Sequence, residues 1–327
     1  MPVILKPLQY ANTATWNGSG TSTVTVNFGF QPDLVWIKPR NNVASNANSH
    51  ILIDSVRGVD KVLRSQTTGA EVTESNNITA FTSTGITIGD SHNVNKNTTS
   101  QYVAWAWQKG ATQGFDIVTF TGDGSSPKNI AHSLGVAPRM MIFKSRNNVS
   151  GWNSYHASLG NTQQINLQTT AAAVSSVDWW NNTSPTSSQF TIGANLNING
   201  YTFVAYLFSE VAGFSKFGSY TGNGAANGPF VFCGFRPKFI MIKRTDAVND
   251  WVIMDTLRLG YNQINTYLEP NTTDAEATDG GGAGSRSLDI LSNGFKLRET
   301  ADATNASGGT HIFAAFAEHP FKNALAR

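Results

Sequence analysis

Two aspartates, each followed three positions later by an arginine, are the side chains of this sequence best suited to chemistry. They are Asp54 with Arg57 and Asp255 with Arg258. An exposed carboxylate beside a guanidinium offers the donors and acceptors of a sugar-binding clamp. Inside a fold, the same pair would form an ion pair that fixes a loop against a sheet. We weight the internal ion pair above the clamp, because a further copy of the surrounding motif, at 156–160, has neither charge.

The other acidic, histidine and serine residues do not combine into a recognisable catalytic or metal site. Glycoside hydrolysis needs two carboxylates that converge on one bond, whereas acids such as Asp33, Asp116 and Asp246 are scattered along the chain. The six histidines lack the spacing of zinc ligands, and no serine lies in a GxSxG motif. We therefore expect no enzyme activity, and no catalytic residue, cofactor or metal.

The adjacent tryptophans Trp179 and Trp180 have no counterpart elsewhere in the chain and form a second candidate binding feature. On a β-strand, two neighbouring side chains point to opposite faces, so at most one of them belongs to the core. The other would be an aromatic platform that stacks on a sugar or a partner, or it would be buried against a neighbouring domain. The sequence gives these two possibilities equal weight.

A low content of charge characterises the surface of this protein. Charged residues make up 13% of the 327 residues, and the formal net charge is +2, whereas soluble domains have about 25% charged residues. Such a surface has no field to attract nucleic acid or anionic membranes. The single cysteine, Cys233, is expected to be a small buried apolar residue. No apolar run reaches the length of a membrane span, and no secretion signal is recognised.

The elements that position these side chains occur three times. A Gly, a Pro three residues later and an alternating apolar run that ends in Lys occur at 29–38, 135–144 and 234–243. Each copy opens with a Gly-rich turn and closes on a stretch rich in aromatic residues and Ala. Alternation with a period of two, enriched in β-branched and aromatic residues, predicts strands. Only 55–65 and 273–279 could form helical turns.

Alternation also predicts which side chains share a face. Leu34 and Trp36 oppose Val35 and Ile37. In the closing stretch, at 102–107, bulky rings occupy one face and alanines the other, as expected where a sheet lies close to a second layer. We expect core residues among Trp36, Trp105 and Trp107. The sequence thus predicts an all-β protein of three tandem β-sandwich (jelly-roll-like) repeat domains, at 10–109, 114–211 and 214–321.

The repeat resembles a β-rich domain of virion-associated, tail-fibre-like proteins from marine and aquatic bacteriophages. The shared blocks are a Gly-Phe-x-Pro-Asp strand at 29–38, an Asp-Ser-x-Arg-Gly element at 54–58, a Tyr-Val-Ala-Trp-x-Trp close at 102–107 and a Tyr-Thr-Gly-Asn-Gly opening at 220–224. The second copy departs most, at 156–160. The resemblance covers most of the chain and implies a component of a phage particle. It transfers no catalytic residue.

The expected function is a non-enzymatic structural protein of a bacteriophage virion, in a tail fibre or another receptor-contacting appendage. The alternative is a capsid-decorating (cement) protein that stabilises the major capsid shell, because neither an attachment domain nor a trimerising shaft is evident. A third, weaker hypothesis is a tailspike that degrades glycans. We expect a homo-oligomer, with a trimer favoured, on the particle surface. Its partners would be other virion proteins and a host glycan or receptor, but neither nucleic acid nor membrane. The candidate binding residues are Trp179, Trp180, Asp54, Arg57, Asp255 and Arg258.

Overall fold

The computed structural model describes residue 4 and residues 6–20, 23–42, 48–260, 262–279 and 286–319. Over these residues the protein is all-β, as the sequence predicts, and its strands pair antiparallel. The described helices are a 3-10 helix, Pro7–Gln9, and three one-turn α-helices: α1 (His92–Asn95), α2 (Val177–Trp180) and α3 (Asp302–Asn305). None of the helices in this part of the chain has the length and apolar character that a membrane crossing requires.

The first segment of the chain, residues 11–107, forms one large and one small sheet. Its strands are β1 (Ala11–Asn17), β2 (Val24–Asn27), β3 (Leu34–Pro39), β4 (Ile51–Asp54), β5 (Lys61–Arg64), β6 (Val72–Thr73), β7 (Ile78–Thr82), β8 (Gly85–Ile88) and β9 (Gln101–Trp107). The large sheet has the order β1-β9-β3-β4-β5-β6, and the small sheet has the order β2-β8-β7. The closing strand β9 therefore lies between the opening strand and the Pro-containing strand.

The second segment, residues 115–208, has the same arrangement. Its strands are β10 (Phe115–Thr121), β11 (Lys128–Ala131), β12 (Met140–Ser145), β13 (Asn153–His156), β14 (Gln163–Asn166), β15 (Val174–Ser175), β16 (Gln189–Ile192) and β17 (Thr202–Phe208). The large sheet has the order β10-β17-β12-β13-β14-β15, and the small sheet pairs β11 with β16.

The third segment, residues 215–319, keeps the central order of strands. Its strands are β18 (Ser215–Thr221), β19 (Phe230–Phe232), β20 (Arg236–Arg244), β21 (Trp251–Asp255), β22 (Thr266–Tyr267), β23 (Ala277–Thr278), β24 (Leu288–Leu291), β25 (Gly294–Leu297) and β26 (Thr310–His319). The large sheet has the order β18-β26-β20-β21, and the small sheet has the order β19-β25-β24. A separate ribbon pairs β22 with β23.

The predicted helical turns are wrong in both places. Residues 55–65 form a turn followed by β5, and residues 273–279 contain β23. Both stretches lie beside a neighbouring segment, and strand pairing there outweighs the weak local preference for helix. The observed one-turn helices α1 and α3 instead precede the closing strands β9 and β26.

One face of each large sheet packs on the small sheet of the same segment. In the first segment, Val35, Ile37, Ala104 and Ala106 lie in one apolar cluster with residues of β2 and β8. The side chains that alternate with them, such as Trp36, belong to a different cluster. This separation of faces confirms the predicted alternation, and the small alanines lie where the second layer is close. The second and third segments have corresponding clusters.

The opposite faces of the three large sheets meet in a shared core. It contains Trp36, Trp105 and Trp107 together with apolar residues of the second and third segments, which include Met140, Ile142, Tyr206, Phe208, Phe239, Met241 and Phe316. All three tryptophans are nearly fully buried, which confirms that core residues lie among them. The sequence pattern did not indicate that this face would be covered by the other segments rather than by a second layer of its own.

Three aromatic rings at equivalent positions of the closing strands define the centre of the shared core. The ring centroids of Trp107 and Phe208 are 6.1 Å apart, those of Trp107 and Phe316 are 5.7 Å apart, and those of Phe208 and Phe316 are 5.8 Å apart. Each ring thus contacts the other two. Truncation of a buried ring to Ala reduces the free energy of unfolding by about 3–5 kcal/mol. The contacts among these three rings therefore contribute substantially to the association of the segments.

A buried asparagine fixes the Gly-rich turn that opens each segment. The Oδ1 atom of Asn197 accepts from the backbone N–H of Asp123 at 3.1 Å, and that of Asn305 accepts from Asn223 at 2.9 Å. Asn95 is equally buried and bonds to Ser19 in the first segment. Since each amide is withdrawn from water and satisfied by the backbone, the turns are held in place and are not loose connections.

Candidate functional site

The Asp54–Arg57 pair closes the turn that follows β4. One oxygen of Asp54, Oδ1, accepts from the backbone N–H groups of Val56 and Arg57, at 3.1 and 2.9 Å. The other, Oδ2, receives the Arg57 Nε–H at 2.5 Å. Both side chains have 0% exposure. The pair is therefore an internal ion pair whose carboxylate also organises its own turn.

The ion pair continues into the second segment. The Arg57 guanidinium also donates a hydrogen bond to Glu71 at 2.9 Å. The Glu71 carboxylate accepts two further hydrogen bonds, from Nε and Nη2 of Arg146, each at 3.0 Å. The Tyr206 hydroxyl donates to Asp54 Oδ2 at 2.8 Å and accepts from Arg57 at 3.1 Å. Two carboxylates thus balance the charge of two guanidiniums. We call this contact between the first and second segments the first junction.

Burial and charge act in opposite directions on these groups. Burial alone would lower the pKa of Arg57, but Tyr206 and Asp54 outweigh it and hold that pKa above its ordinary value. Burial would raise the pKa of Glu71, but hydrogen bonds from Arg146 and Arg57 lower it. Burial raises the pKa of Tyr206 well above its usual range. Arg57 and Glu71 therefore keep their charges at neutral pH, and their pairing offsets the desolvation cost of burying them.

The third junction, between the third and first segments, repeats this network. Arg258 Nε lies 2.6 Å from Asp255, and Arg258 Nη1 lies 2.9 Å from Glu276. Arg40 of the first segment binds Glu276 with two hydrogen bonds of 3.0 and 2.7 Å. In place of a tyrosine, the indole N–H of Trp105 donates to Asp255 Oδ2 at 3.0 Å.

The second junction, between the second and third segments, uses no such network. His156 occupies the position of Asp54, and its Nε2 lies 3.2 Å from the carbonyl oxygen of Phe313. Leu159 and Ala173 occupy the positions of Arg57 and Glu71 and pack on the shared core. Burial lowers the pKa of His156 to about 4, so this side chain is neutral at physiological pH.

Three buried lysines link the segments in a cycle. Each lysine donates from Nζ to a backbone carbonyl oxygen of another segment: the first segment to the third, the second to the first and the third to the second. The contacts are Lys38 to Thr273 (3.1 Å), Lys144 to Thr68 (3.2 Å) and Lys243 to Thr170 (3.0 Å). These are the lysines that end the three repeated Pro-containing motifs. Burial lowers the pKa of Lys38 to about 7 and those of Lys144 and Lys243 to about 8.

The geometry restricts what these predicted binding residues can contact. Asp54, Arg57, Asp255 and Arg258 have side chains with 0% exposure. Their polar atoms are occupied by the turn, by the neighbouring segment and by the second carboxylate of each network. A ligand in solvent reaches none of them while the junctions are closed. In the closed fold, these four residues bind neighbouring segments of the same chain.

The two adjacent tryptophans lie on helix α2 and not on a strand, so the opposite-face argument used for them is wrong. The helix begins where Ser176 caps the N–H of Asp178, and it ends at Asn181, whose φ is 49°. Trp180 is fully buried, and its indole N–H donates to the Gln163 carbonyl at 2.8 Å. Trp179 is half-buried against the same cluster. Only Trp179 thus retains a surface that a partner could touch.

Other chemical features are sparse in the described part of the chain. It contains no group of three or more His, Cys, Asp or Glu side chains that could hold a metal. Cys233 is buried, and burial raises the pKa of its thiol to about 12, so it is the inert apolar residue that was predicted. A surface recess of about 210 Å³ lies beside the connections between segments, and among its lining residues is one carboxylate, Glu210, which is paired with Lys216 at 2.8 Å.

Comparison with known families assigns the chain to one family. A domain of unknown function, DUF7483, matches residues 6–320. The chain belongs to this family. The match spans all three segments, so this domain includes the shared core and the three junctions. No curated protein matches the sequence.

Sequence reasoning identified the Asp–Arg pairs but missed the residues that complete the networks. Arg146 and Tyr206 lie in the second segment, far along the chain from Asp54 and Arg57, and Arg40 lies in the first segment, far from Asp255 and Arg258. Glu71 and Glu276 lie in the same segments as the pairs they contact. A signal was present, because Glu71 and Glu276 follow the two Asp–Arg turns, whereas the second copy has Ala173 at the corresponding place. The separations differ, however, since Glu71 is 14 residues after Arg57 and Glu276 is 18 residues after Arg258.

Proposed function

We propose that this protein is a non-enzymatic structural component of a bacteriophage virion, in a tail fibre or another receptor-contacting appendage on the particle surface. In this proposal the chain consists of three tandem β-sandwich domains, 10–109, 114–211 and 214–321, of which residues 21–22, 43–47, 261, 280–285 and 320–321 lie outside the described part. The observation that carries the proposal is the shared core. The charged residues that could have formed an active site instead hold three segments together around it.

The surface supports a role in binding by shape. Asn147 and Asn148, with the exposed Val149, form the tip of the hairpin between β12 and β13. At the equivalent tip between β20 and β21 lies Val248. These valines are 74% and 68% exposed, and the equivalent strand registers place them at the same end of their sheets. Exposed apolar tips flanked by polar residues would suit contact with a host glycan, a receptor or another virion protein.

Capsid decoration is the second candidate, and the closed ring of segments is the observation that favours it. A fibre subunit commonly trimerises, yet here the three equivalent sheet faces already meet within one chain. A homotrimer of this protein, which we retain as the favoured oligomer, would have to use other surfaces. A compact unit of this kind would suit a site on the capsid shell. The two candidates predict different abundances, a few tens of copies or fewer per particle for a fibre and hundreds for a decoration protein.

Quantitative mass spectrometry of purified particles that carry the protein tests the proposal and separates the candidates. Recovery with the particles at a fixed ratio to the major capsid protein is expected. A ratio of a few tens or fewer copies would identify an appendage, and hundreds of copies would identify decoration. Absence from purified particles would refute both.

A binding experiment tests which end of the molecule makes the contact. The double variant Val149→Asp with Val248→Asp places charge on the hairpin tips, and binding to host cells or empty capsids should fall about tenfold or more. The matched control is Val56→Asp with Leu257→Asp, at exposed turns on the opposite end of the sheets. Equal binding by both variants would exclude the hairpin tips.

The non-enzymatic part of the proposal needs a separate assay. Purified protein is incubated with host-surface polysaccharide, with and without divalent metal, and chain length is followed by chromatography. Intact polymer is expected. Defined oligosaccharides that disappear in Asp54→Ala or Asp255→Ala would overturn the proposal.

A further inference from the structure

The first and third segments meet at a lysine–asparagine contact. Lys238 begins the apolar run of β20, and its Nζ lies 2.7 Å from Oδ1 of Asn12 on β1. Both side chains are half-buried. The first and second segments are joined by the short connection 108–114, and the second and third by 209–214. No peptide connection joins the third segment back to the first, and this contact lies at that junction.

The Asn12 amide is held in one orientation. Its Oδ1 accepts from the backbone N–H of Thr13 at 2.9 Å, and its Nδ2 donates to the carbonyl oxygen of Phe28 at 2.9 Å. The backbone N–H of Thr13 and the carbonyl oxygen of Phe28 therefore identify which end of the Asn12 amide is oxygen and which is nitrogen. The N–H of Thr13 also polarises the amide carbonyl, and the same donor would stabilise negative charge on Oδ1 if the carbonyl carbon were attacked.

The surroundings make the Lys238 ammonium easier to deprotonate than an ammonium in water. Trp105, Trp107, Phe239 and Phe316 are among the residues that line the small cleft around the contact. Burial lowers the pKa of Lys238, although Glu318 and Asp255 act in the opposite direction. A neutral amine carries the lone pair that a nucleophilic attack requires.

We propose that Lys238 and Asn12 form an intramolecular isopeptide bond that covalently joins the third segment to the first. Nζ of Lys238 attacks Cγ of Asn12, so that a C–N bond forms and the Cγ–Nδ2 bond breaks. The proton lost by the amine leaves on the departing nitrogen, as ammonia. The product is a secondary amide and the exchange is not a redox reaction, so it needs neither cofactor nor oxidant.

The equivalent positions at the other junctions cannot form this bond. At the first junction they are Asp33 and Asp116, two carboxylates. At the second they are Arg139 and Lys216, two cations. The amine and the amide therefore coincide only at the junction that lacks a peptide connection. A bond there would close a loop of 226 residues and would complete the ring of three segments covalently.

Intact-mass spectrometry of the folded wild-type protein tests the proposal. The expected mass is lower than the sequence mass by one ammonia, and digestion should release a branched peptide that joins the residues around 12 and 238. Lys238→Arg and Asn12→Ala should restore the full mass for their sequences, whereas the control Lys61→Arg, at a half-buried lysine beside Asp60 and Thr73, should retain the loss. Circular dichroism reports whether each variant is folded.

Two further results would decide against the bond. A folded wild-type protein that keeps its full sequence mass after prolonged incubation at mildly alkaline pH would overturn the proposal. A loss of ammonia that persists in Lys238→Arg would do the same, because it would place the reaction elsewhere.

Discussion

The first and second junctions occupy equivalent places in the molecule and hold their segments by different means. At the first junction, Asp54 and Arg57 form a buried charged network with Tyr206 of the second segment. At the second, His156 and Leu159 stand in the same positions, and apolar packing replaces the charges. Both junctions close around the same core. The comparison shows that a buried charged network and apolar packing are two ways to close equivalent junctions.

The largest expected effect comes from breaking the charged network at one partner. Asp54→Ala leaves Arg57 buried with part of its charge uncompensated, and removal of one member of a buried ion pair costs about 3–5 kcal/mol. Urea unfolding of the variant and of the wild type measures the difference. The control is Asp60→Ala, which removes a half-exposed carboxylate from the same connection and should change stability by under about 1 kcal/mol. A loss of that small size for Asp54→Ala as well would show that the network contributes little.

Acid should weaken the second junction before the first. The folded pKa of His156 is about 4, and the unfolded value is about 6.5. Since the unfolded chain binds the proton more readily, stability is fully present above pH 6.5 and is lost as the pH falls towards 4, by about 3 kcal/mol in all. Burial likewise holds the pKa of His50, at the third junction, well below its ordinary value.

Unfolding midpoints between pH 7 and 4 measure this effect. His156→Gln should reduce the dependence on pH. An unchanged dependence would mean that His156 already titrates normally in the folded protein.

The three lysines should act in the same direction at alkaline pH, where stability again rises with pH. The folded pKa values of Lys144 and Lys243 are about 8, and the unfolded value is about 10.4. Between these limits the unfolded chain binds more protons, so stability rises with pH, by up to about 1.4 kcal/mol per pH unit for each lysine. Unfolding at pH 8 and pH 9 is the measurement. Lys144→Met should flatten the rise, and an equal rise in the variant would exclude Lys144 as a cause.

The smallest effect is expected when the first junction is rebuilt in the form of the second. Asp54→His, Arg57→Leu and Glu71→Ala copy the second segment, and Tyr206→Phe and Arg146→Met remove the hydroxyl and the guanidinium that would lose their partners. Replacement of a whole buried network by apolar groups is often neutral, so the combined variant should lie within about 1 kcal/mol of the wild type. A combined loss larger than that of Asp54→Ala alone would show that the two junctions are not interchangeable.

The strands and the division of their faces could be predicted because alternation is a local property. Leu34 and Trp36 separate from Val35 and Ile37 in the fold as they do in the sequence. The residues that cover the sheet face of Leu34 and Trp36 come from other segments, so local alternation does not predict them. The partners of Trp107 are Phe208 and Phe316, and no spacing within the first copy points to residues so far along the chain. Comparison of the three closing stretches reveals only that each has a large ring at this position.

The candidate site was predictable in part for the same reason. A carboxylate three residues before an arginine indicates a closed turn, and Asp54 with Arg57 forms one. Whether that turn faces solvent or another segment depends on the packing of whole sheets. The tryptophans were misassigned because Ser176 starts a one-turn helix, and the Ser-x-Asp signal that caps it is weak beside a strand-rich background.

Differential scanning calorimetry of the wild-type chain tests most directly whether the three segments form one unit around a shared core. Because the rings of Trp107, Phe208 and Phe316 contact one another, no segment can unfold without exposing the apolar faces of the other two. One transition is therefore expected, with a calorimetric enthalpy equal to the van't Hoff enthalpy. Phe208→Ala should move that transition as a whole to lower temperature. Two or three separable transitions, of which Phe208→Ala shifts only one, would contradict a core shared by the three segments.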